Sequence, residues 1–110
     1  MRMWMIDPNK MCKRHISGEH NEIHKHLPSL YAGVSVEGRM APVVQIQLNA
    51  LQARHDELAQ YLNHKSPLEV DDGLIRRNYG PHYYRMVDVT HNEADLANRC
   101  EACRKLIWKG

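Results

Sequence analysis

At 110 residues the chain has the length of one domain, able to bury roughly two-thirds of the surface its unfolded form exposes without help from a disulfide or metal. A formal charge of +2 with eight histidines is weakly basic, which permits a phosphate-bearing partner without requiring one. No apolar run is long enough to span a bilayer, and the opening Met1-Arg2-Met3-Trp4-Met5-Ile6-Asp7 lacks the apolar core and cleavage site of a secretion signal, so a soluble, cytoplasmic protein with no membrane partner is expected.

Asp7-Pro8 is a helix start, since Asp caps an orphan amide and Pro suits the first helical position. The spacing predicts a first helix from about Pro8 to His26, with Met11, Cys12, Ile16 and Ile23 as its apolar stripe and His15, Glu19, Glu22 and His26 alongside. Pro28 is expected to end or bend it, and residues 29–42, with Gly33 and Gly38, read as a turn-rich connection. From about Val44 to Asn63, Leu48, Leu51, His55, Leu58 and Leu62 recur as on an amphipathic helix, with His55 as a core histidine whose hydrogen bonds are satisfied. Residues 64–86 hold Pro67, Gly73, Gly80 and Pro81 and are expected to be mostly loop, with room for one short turn of helix. Thr90-His91-Asn92-Glu93 reads as a capping box opening a third helix to about Ile107, with Leu96, Cys100, Cys103 and Ile107 on one face. The expectation is therefore a single all-α domain over residues 1–110, with about three main helices and long loops.

Three groups of residues have the composition for chemistry. In the run Glu19 to His26, His20 and His24 are one turn apart, as in the zinc motif HExxH. Glu22, however, lies two positions after His20, about 200° around a helix, and points away from any ion they share. A solvated polar face is the expectation there. Cys100-x-x-Cys103, with Cys12 and His15 as candidate companions, has zinc-knuckle spacing, but such pairs sit on turns or at helix N-termini. Placed well past the cap of a continuous third helix and on its apolar face, the pair reads as two buried, inert thiols, and no metal or cofactor is expected. Finally, Arg76-Arg77-Asn78-Tyr79-Gly80-Pro81-His82-Tyr83-Tyr84-Arg85 interleaves cations that neutralise phosphates with rings that stack on bases. The alternative is a basic loop whose tyrosines pack on the domain.

Met1-Arg2 together with Arg14-His15-Ile16-Ser17-Gly18-Glu19-His20-Asn21-Glu22-Ile23-His24-Lys25 resembles the start of the phage pyrimidine-dimer DNA glycosylases, the endonuclease V family. Weaker likeness extends over Arg54-His55-Asp56-Glu57-Leu58-Ala59, the Trp4-to-Pro8 opening and Asn63-His64-Lys65-Ser66-Pro67. The resemblance implies that the family's nucleophilic α-amine falls on Met1, its following arginine on Arg2, its helix histidine on His15 and its catalytic carboxylate on Glu22. Lys13, Arg14, Glu19, Asn21 and Lys25, with Arg76, Arg77, Tyr83 and Tyr84, complete the expected contacts to damaged double-stranded DNA, bound by a monomer. Asn21 and Lys25 stand where the family has arginines, and only Trp108-Lys109 stands where it ends in aromatic residues and lysines.

An α-amine ionises near ~7.7–8.0, far below the ~10.4 of lysine, so a useful fraction is nucleophilic at neutral pH. Arg2 is too bulky for the usual aminopeptidase to remove Met1, which keeps that amine in place. The implied reaction is attack on the sugar C1′, loss of the base, a Schiff base, and β-elimination with Glu22 as charge stabiliser and proton acceptor. The Met1 nitrogen is accordingly expected within hydrogen-bond reach of Glu22, directly or through one water, which requires the first residues to double back along the first helix or that helix to begin late. A non-catalytic DNA-binding module and a small metal-binding protein built on Cys12, Cys100 and Cys103 are the alternatives from other classes.

Overall fold

In the computed structural model, which describes residues 1–63 and 66–109, Asp7 caps only one 3-10 turn, Pro8–Lys10, its carboxylate accepting from Asn9 N at 2.9 Å. Met11 and Cys12 are extended, and helix α1 runs over Lys13–Tyr31. The first helix thus begins about one turn later than the spacing predicts. It also continues through Pro28, whose ring lies on the exposed face while Leu27 and Leu30 stay buried and hold the last turn, so the lost hydrogen bond is tolerated.

Helix α2 spans Leu51–Ala59 and is extended at its start by the 3-10 turn Leu48–Ala50. It is shorter than the predicted element because residues 45–47 serve the N-terminal segment instead: Met3 N donates to Gln45 O at 2.7 Å. The predicted stripe is nonetheless the buried one, with Leu48, Leu51, His55 and Leu58 inside. Residues 66–86 are not mostly loop. Asp71 accepts from Leu74 N at 3.1 Å to cap α3, Asp72–Tyr79, and Gly80 ends it at φ +51°, a left-handed conformation that a side chain resists. A 3-10 turn, Gly80–Tyr84, follows. Gly80 and Pro81 mark the junction between these helical pieces while Gly73 lies within the first turn of α3, and Ile75 and Tyr79, one turn apart, face the core. His64 and Lys65, part of one family-like stretch, lie outside the described residues.

The predicted third helix is two helices, α4 over Val89–Arg99 and α5 over Glu101–Lys109, separated at Cys100, whose backbone is extended at φ −133°, ψ 114°. Asp88, not Thr90, is the N-cap of α4, accepting from His91 N at 3.0 Å; Thr90 lies inside the helix and the predicted capping box does not form. Among the described residues there are thus five α-helices and no strand. None is long and apolar enough to cross a membrane.

The first six residues are the least conventional part of the core. Met3 and Ile6 are fully buried and Trp4 nearly so. Their backbone, which pairs with no strand among the described residues, is served by the Gln45 carbonyl and by side chains: Asn92 Nδ2 donates to Trp4 O at 2.9 Å and Arg54 to Ile6 O at 2.8 Å. The segment is held between α1, α2, α4 and residues 45–47. Met5 adopts φ +57° within it, a conformation that costs a non-glycine residue of order 1 kcal/mol and persists because its neighbours are locked by packing.

Candidate active site around the N-terminal segment

Helix α1 carries one continuous stripe along which the N-terminal segment lies. Arg2, Trp4, Arg14, His15, Gly18, Glu19 and Glu22 line a cavity of about 280 Å³. Met1 borders a second one of about 130 Å³, together with His26, Ser29, Leu30 and Arg39. Trp4 meets the ring of His15 edge-on, 6.3 Å between centroids, while Met1 lies near His26, eleven residues further along α1. The segment therefore runs antiparallel to the helix, and α1 also begins late. Both ways of bringing the terminus toward Glu22 are used.

Burial, first, and then the charges of Arg39 and Lys25 lower the Met1 amine below its ordinary 8.0, while Glu22 pulls the other way. The amine and Glu22 thus feel one another, but the expected direct contact is not among the contacts of the described residues. Glu22 Oε2 instead lies 2.7 Å from His26 Nε2, an ion pair one turn along the helix without well-aligned hydrogen-bond geometry. His26 sits where the two cavities approach and had no assigned role in the sequence. Its i,i+4 spacing from Glu22 was the available signal.

Arg2 is fixed rather than free. It pairs with Asp95 at 2.8 Å, donates to Asn92 Oδ1 at 2.9 Å, and lies over the Trp4 ring at 3.9 Å. Burial works to raise the Asp95 carboxyl, and the hydrogen bonds from Arg2 and Arg99 outweigh it and hold it below its usual range. With Asp95 opposing its charge, Arg2 is a weaker phosphate ligand than the sequence implied.

Glu19 is not a DNA contact. Its carboxylate is fully buried and takes two hydrogen bonds from Arg54, at 2.6 and 2.9 Å, an arrangement α2 supplies from below the cavity floor. Arg54 spends its other donors on Ile6 O, Glu57 and Met11 Sδ. Burial alone would lower the Arg54 pKa, but Glu19 and Glu57 outweigh it and raise it. Removing one member of such a pair leaves a buried charge uncompensated, typically at a cost of about 3–5 kcal/mol. The pair joins α1 to α2, and Arg54 ties both to Ile6 of the N-terminal segment.

The remaining predicted contacts divide. Lys13, Arg14, Asn21 and Lys25 are exposed on α1. Arg76 and Arg77 are exposed on α3, which docks on the far end of α1 through Asn78 Nδ2 donating to Leu30 O at 3.0 Å. Glu22 is about 12 Å away along the axis, at ~1.5 Å per residue. Tyr83 is buried and donates its hydroxyl to Asp72 at 2.6 Å, so its ring is not available for stacking on a base, whereas Tyr84 is exposed.

The histidine-rich run is not simply a solvated face. His20 is buried, and the rings of His20, His24 and His55 lie 4.6–4.8 Å apart. His55 Nδ1 bonds Asp56 at 2.9 Å and its Nε2 lies 3.0 Å from both Ser66 O and His24 Nε2, which agrees with a core histidine whose bonds are satisfied. Burial, and then the neighbouring His55, lower the His24 pKa. Glu22 faces the other way, onto His26, as the helical angle requires.

The thiols differ from expectation in the same region. The break at Cys100 puts Cys100-x-x-Cys103 at the start of α5 rather than along a continuous helix, and Cys12 likewise precedes α1. Cys103 is pushed up to about 12, chiefly by burial, while the Cys103 amide draws Cys100 down to about 7. Burial, then the Arg14 charge, lower His15. No protein-family model, curated protein or solved structure matches this chain, and what the site does is read from its own chemistry.

Proposed function

We propose that the protein is a DNA repair glycosylase with abasic-site lyase activity, acting on pyrimidine dimers or another modified base in double-stranded DNA, with the Met1 amine as nucleophile. The observation that carries this reading is an α-amine drawn from solvent, lowered in pKa, and set beside an acid–histidine pair next to a cavity edged by Arg14 and His15. Few structural roles call for a half-buried terminal amine, whereas imine chemistry needs one that is neutral.

In this mechanism the neutral amine donates its lone pair to C1′ of the damaged nucleotide. The glycosidic C–N bond breaks with its electron pair leaving on the base, and opening of the sugar ring gives an imine between Met1 and C1′. Glu22 stabilises the positive charge that develops at the sugar and then takes the C2′ proton. The electrons of that C–H bond form a C2′–C3′ double bond and expel the 3′ phosphate, cutting the strand. His26, 2.7 Å from the carboxylate, orients Glu22. Lys13, Arg14 and Lys25 meet phosphates. The target nucleotide must be exposed from the duplex, at a cost lowest where damage has weakened pairing.

The deciding experiment incubates untagged protein with abasic-site duplex and sodium borohydride. A covalent adduct mapped to Met1 is expected, and none after the amine is acetylated. An adduct that survives acetylation, or none with free protein, defeats the assignment. DNA binding without any adduct would instead favour the non-catalytic module.

A further inference from the structure

Cys12, His15, Cys100 and Cys103 meet where the start of α1 touches the junction between α4 and α5. One ligand atom from each lies within 4.8 Å of all the others. A tetrahedral zinc ion, at about 2.3 Å from sulfur and about 2.0 Å from nitrogen, requires S···S edges of about 3.8 Å and S···N edges of about 3.5 Å. Three of the six edges are Cys12 Sγ to Cys100 Sγ at 4.0 Å, Cys12 Sγ to His15 Nδ1 at 3.2 Å, and Cys103 Sγ to His15 Nδ1 at 3.5 Å, and the others lie within 4.8 Å.

The two halves of the cluster are built alike. Cys12 stands as N-cap of α1 with His15 three residues on, and Cys100 immediately precedes α5 with Cys103 three residues on. In each half an extended cap residue and the third residue of the turn after it bring their ligand atoms toward the same point. Backbone amides already serve the sulfurs: Cys12 N donates to Cys103 Sγ at 3.2 Å and Cys103 N to Cys100 Sγ at 3.5 Å, the kind of support that stabilises thiolates around a cation. Arg14 approaches Cys100 Sγ at 3.8 Å.

The geometry points to a structural zinc site of three thiolates and one imidazole, Cys12, His15, Cys100 and Cys103. Four protein ligands close the coordination sphere, so the ion would act as a staple between the N-terminal segment and the last two helices rather than as a catalyst. Thiolates with an imidazole select zinc over magnesium or calcium, and donors this close together enclose a single ion. Binding through Nδ1 leaves Nε2 of His15 available to the cavity that this residue also lines.

Metal analysis of untagged protein purified without chelator is expected to give about one zinc per chain. Metal-free protein titrated with cobalt should develop the visible bands of tetrahedral cobalt bound to thiolate, and zinc should displace them. His15→Ala should weaken zinc binding at least tenfold, while His15→Cys retains it as a four-thiolate site. Should any variant fail to fold, the cobalt spectrum of the unaltered chain still decides. Three freely titratable thiols with no cobalt spectrum, or a disulfide between any two of these cysteines by mass spectrometry of freshly isolated protein, overturns the site. None of these readouts involves DNA, so the outcome is independent of the repair activity.

Discussion

Glu22 is half-exposed and among the described residues is paired with His26 alone, so Glu22→Gln should leave fold and DNA affinity intact while strand cutting falls about 10²- to 10⁴-fold, the usual worth of a positioned acid or base. Cutting assays beside a binding isotherm check this, and an unchanged rate removes Glu22 from the mechanism. The amine makes a pH prediction. Burial, with Arg39 and Lys25, lowers its pKa, and the reacting form is neutral, so borohydride trapping should stay near its plateau at the ordinary 8.0 and decline only as pH falls through the lowered value. In the same range the unfolded chain takes up the proton more readily than the folded one, so this group also withdraws folding stability as pH drops below its ordinary value. Trapping rates measured across pH, with an acid limb at or above that of a free peptide amine, would contradict the lowering. Residue by residue, the sequence was informative where one side chain's type decides its setting: His55 is the buried, bonded histidine its stripe implies. It was uninformative for Glu19, because its partner Arg54 lies 35 positions away and only the packing of α2 under α1 reveals the pair.

Helix α1 contains a glycine where an alanine would be the better helix former. A Cβ at Gly18 would meet nothing within 4 Å, since the position opens onto the cavity shared by His15 and Glu22. Gly18→Ala should therefore stabilise the protein by roughly 0.5–1 kcal/mol while filling cavity space. The urea midpoint should rise and the trapping rate fall several-fold. A variant both more stable and equally active would separate that cavity from the reaction. The elements themselves were legible in their apolar stripes and less so in their limits. Leu48, Leu51 and Leu58 are core as their stripe implies, whereas α3 is disguised in the sequence because Gly73 lies in its first turn and Gly80 and Pro81 close it, residues that otherwise signal loop. The break at Cys100 carries no local signal, since no Gly or Pro accompanies it; it falls where four side chains from distant parts of the chain converge.

At the scale of the whole molecule, the all-helical class was readable because period-3.6 patterns recur along the chain without strand-like alternation of comparable length. The path of the first six residues was not, since an extended segment satisfied by side chains leaves no periodic trace. Among the described residues, Lys13 and Lys25 on α1 have no carboxylate partner and Arg14 approaches only a cysteine sulfur, whereas Arg2 is opposed by Asp95. Binding to duplex DNA should weaken with salt on a log–log slope of about −0.9 per phosphate neutralised, and Lys25→Ala should flatten it by about one such step. Fluorescence anisotropy at a series of salt concentrations measures it, and a slope near zero argues against DNA as the partner.

The N-terminal segment is synthesised first and completed last. Arg2 and Trp4 find their partners at Asn92 and Asp95, about ninety residues later in the chain. At about 5–20 residues per second, a ribosome leaves some 5–20 s between making the amine and making the helix that fixes it. During that interval Arg2 and Trp4 lack the partners that α4 supplies. Contacts of such long range also favour slow, cooperative folding. A ribosome-stalled nascent chain that exposes residues 1–86 but not α4 should accordingly leave its first residues open to protease and give no borohydride adduct above that of a free peptide, so that any reactivity toward DNA switches on only when α4 has emerged.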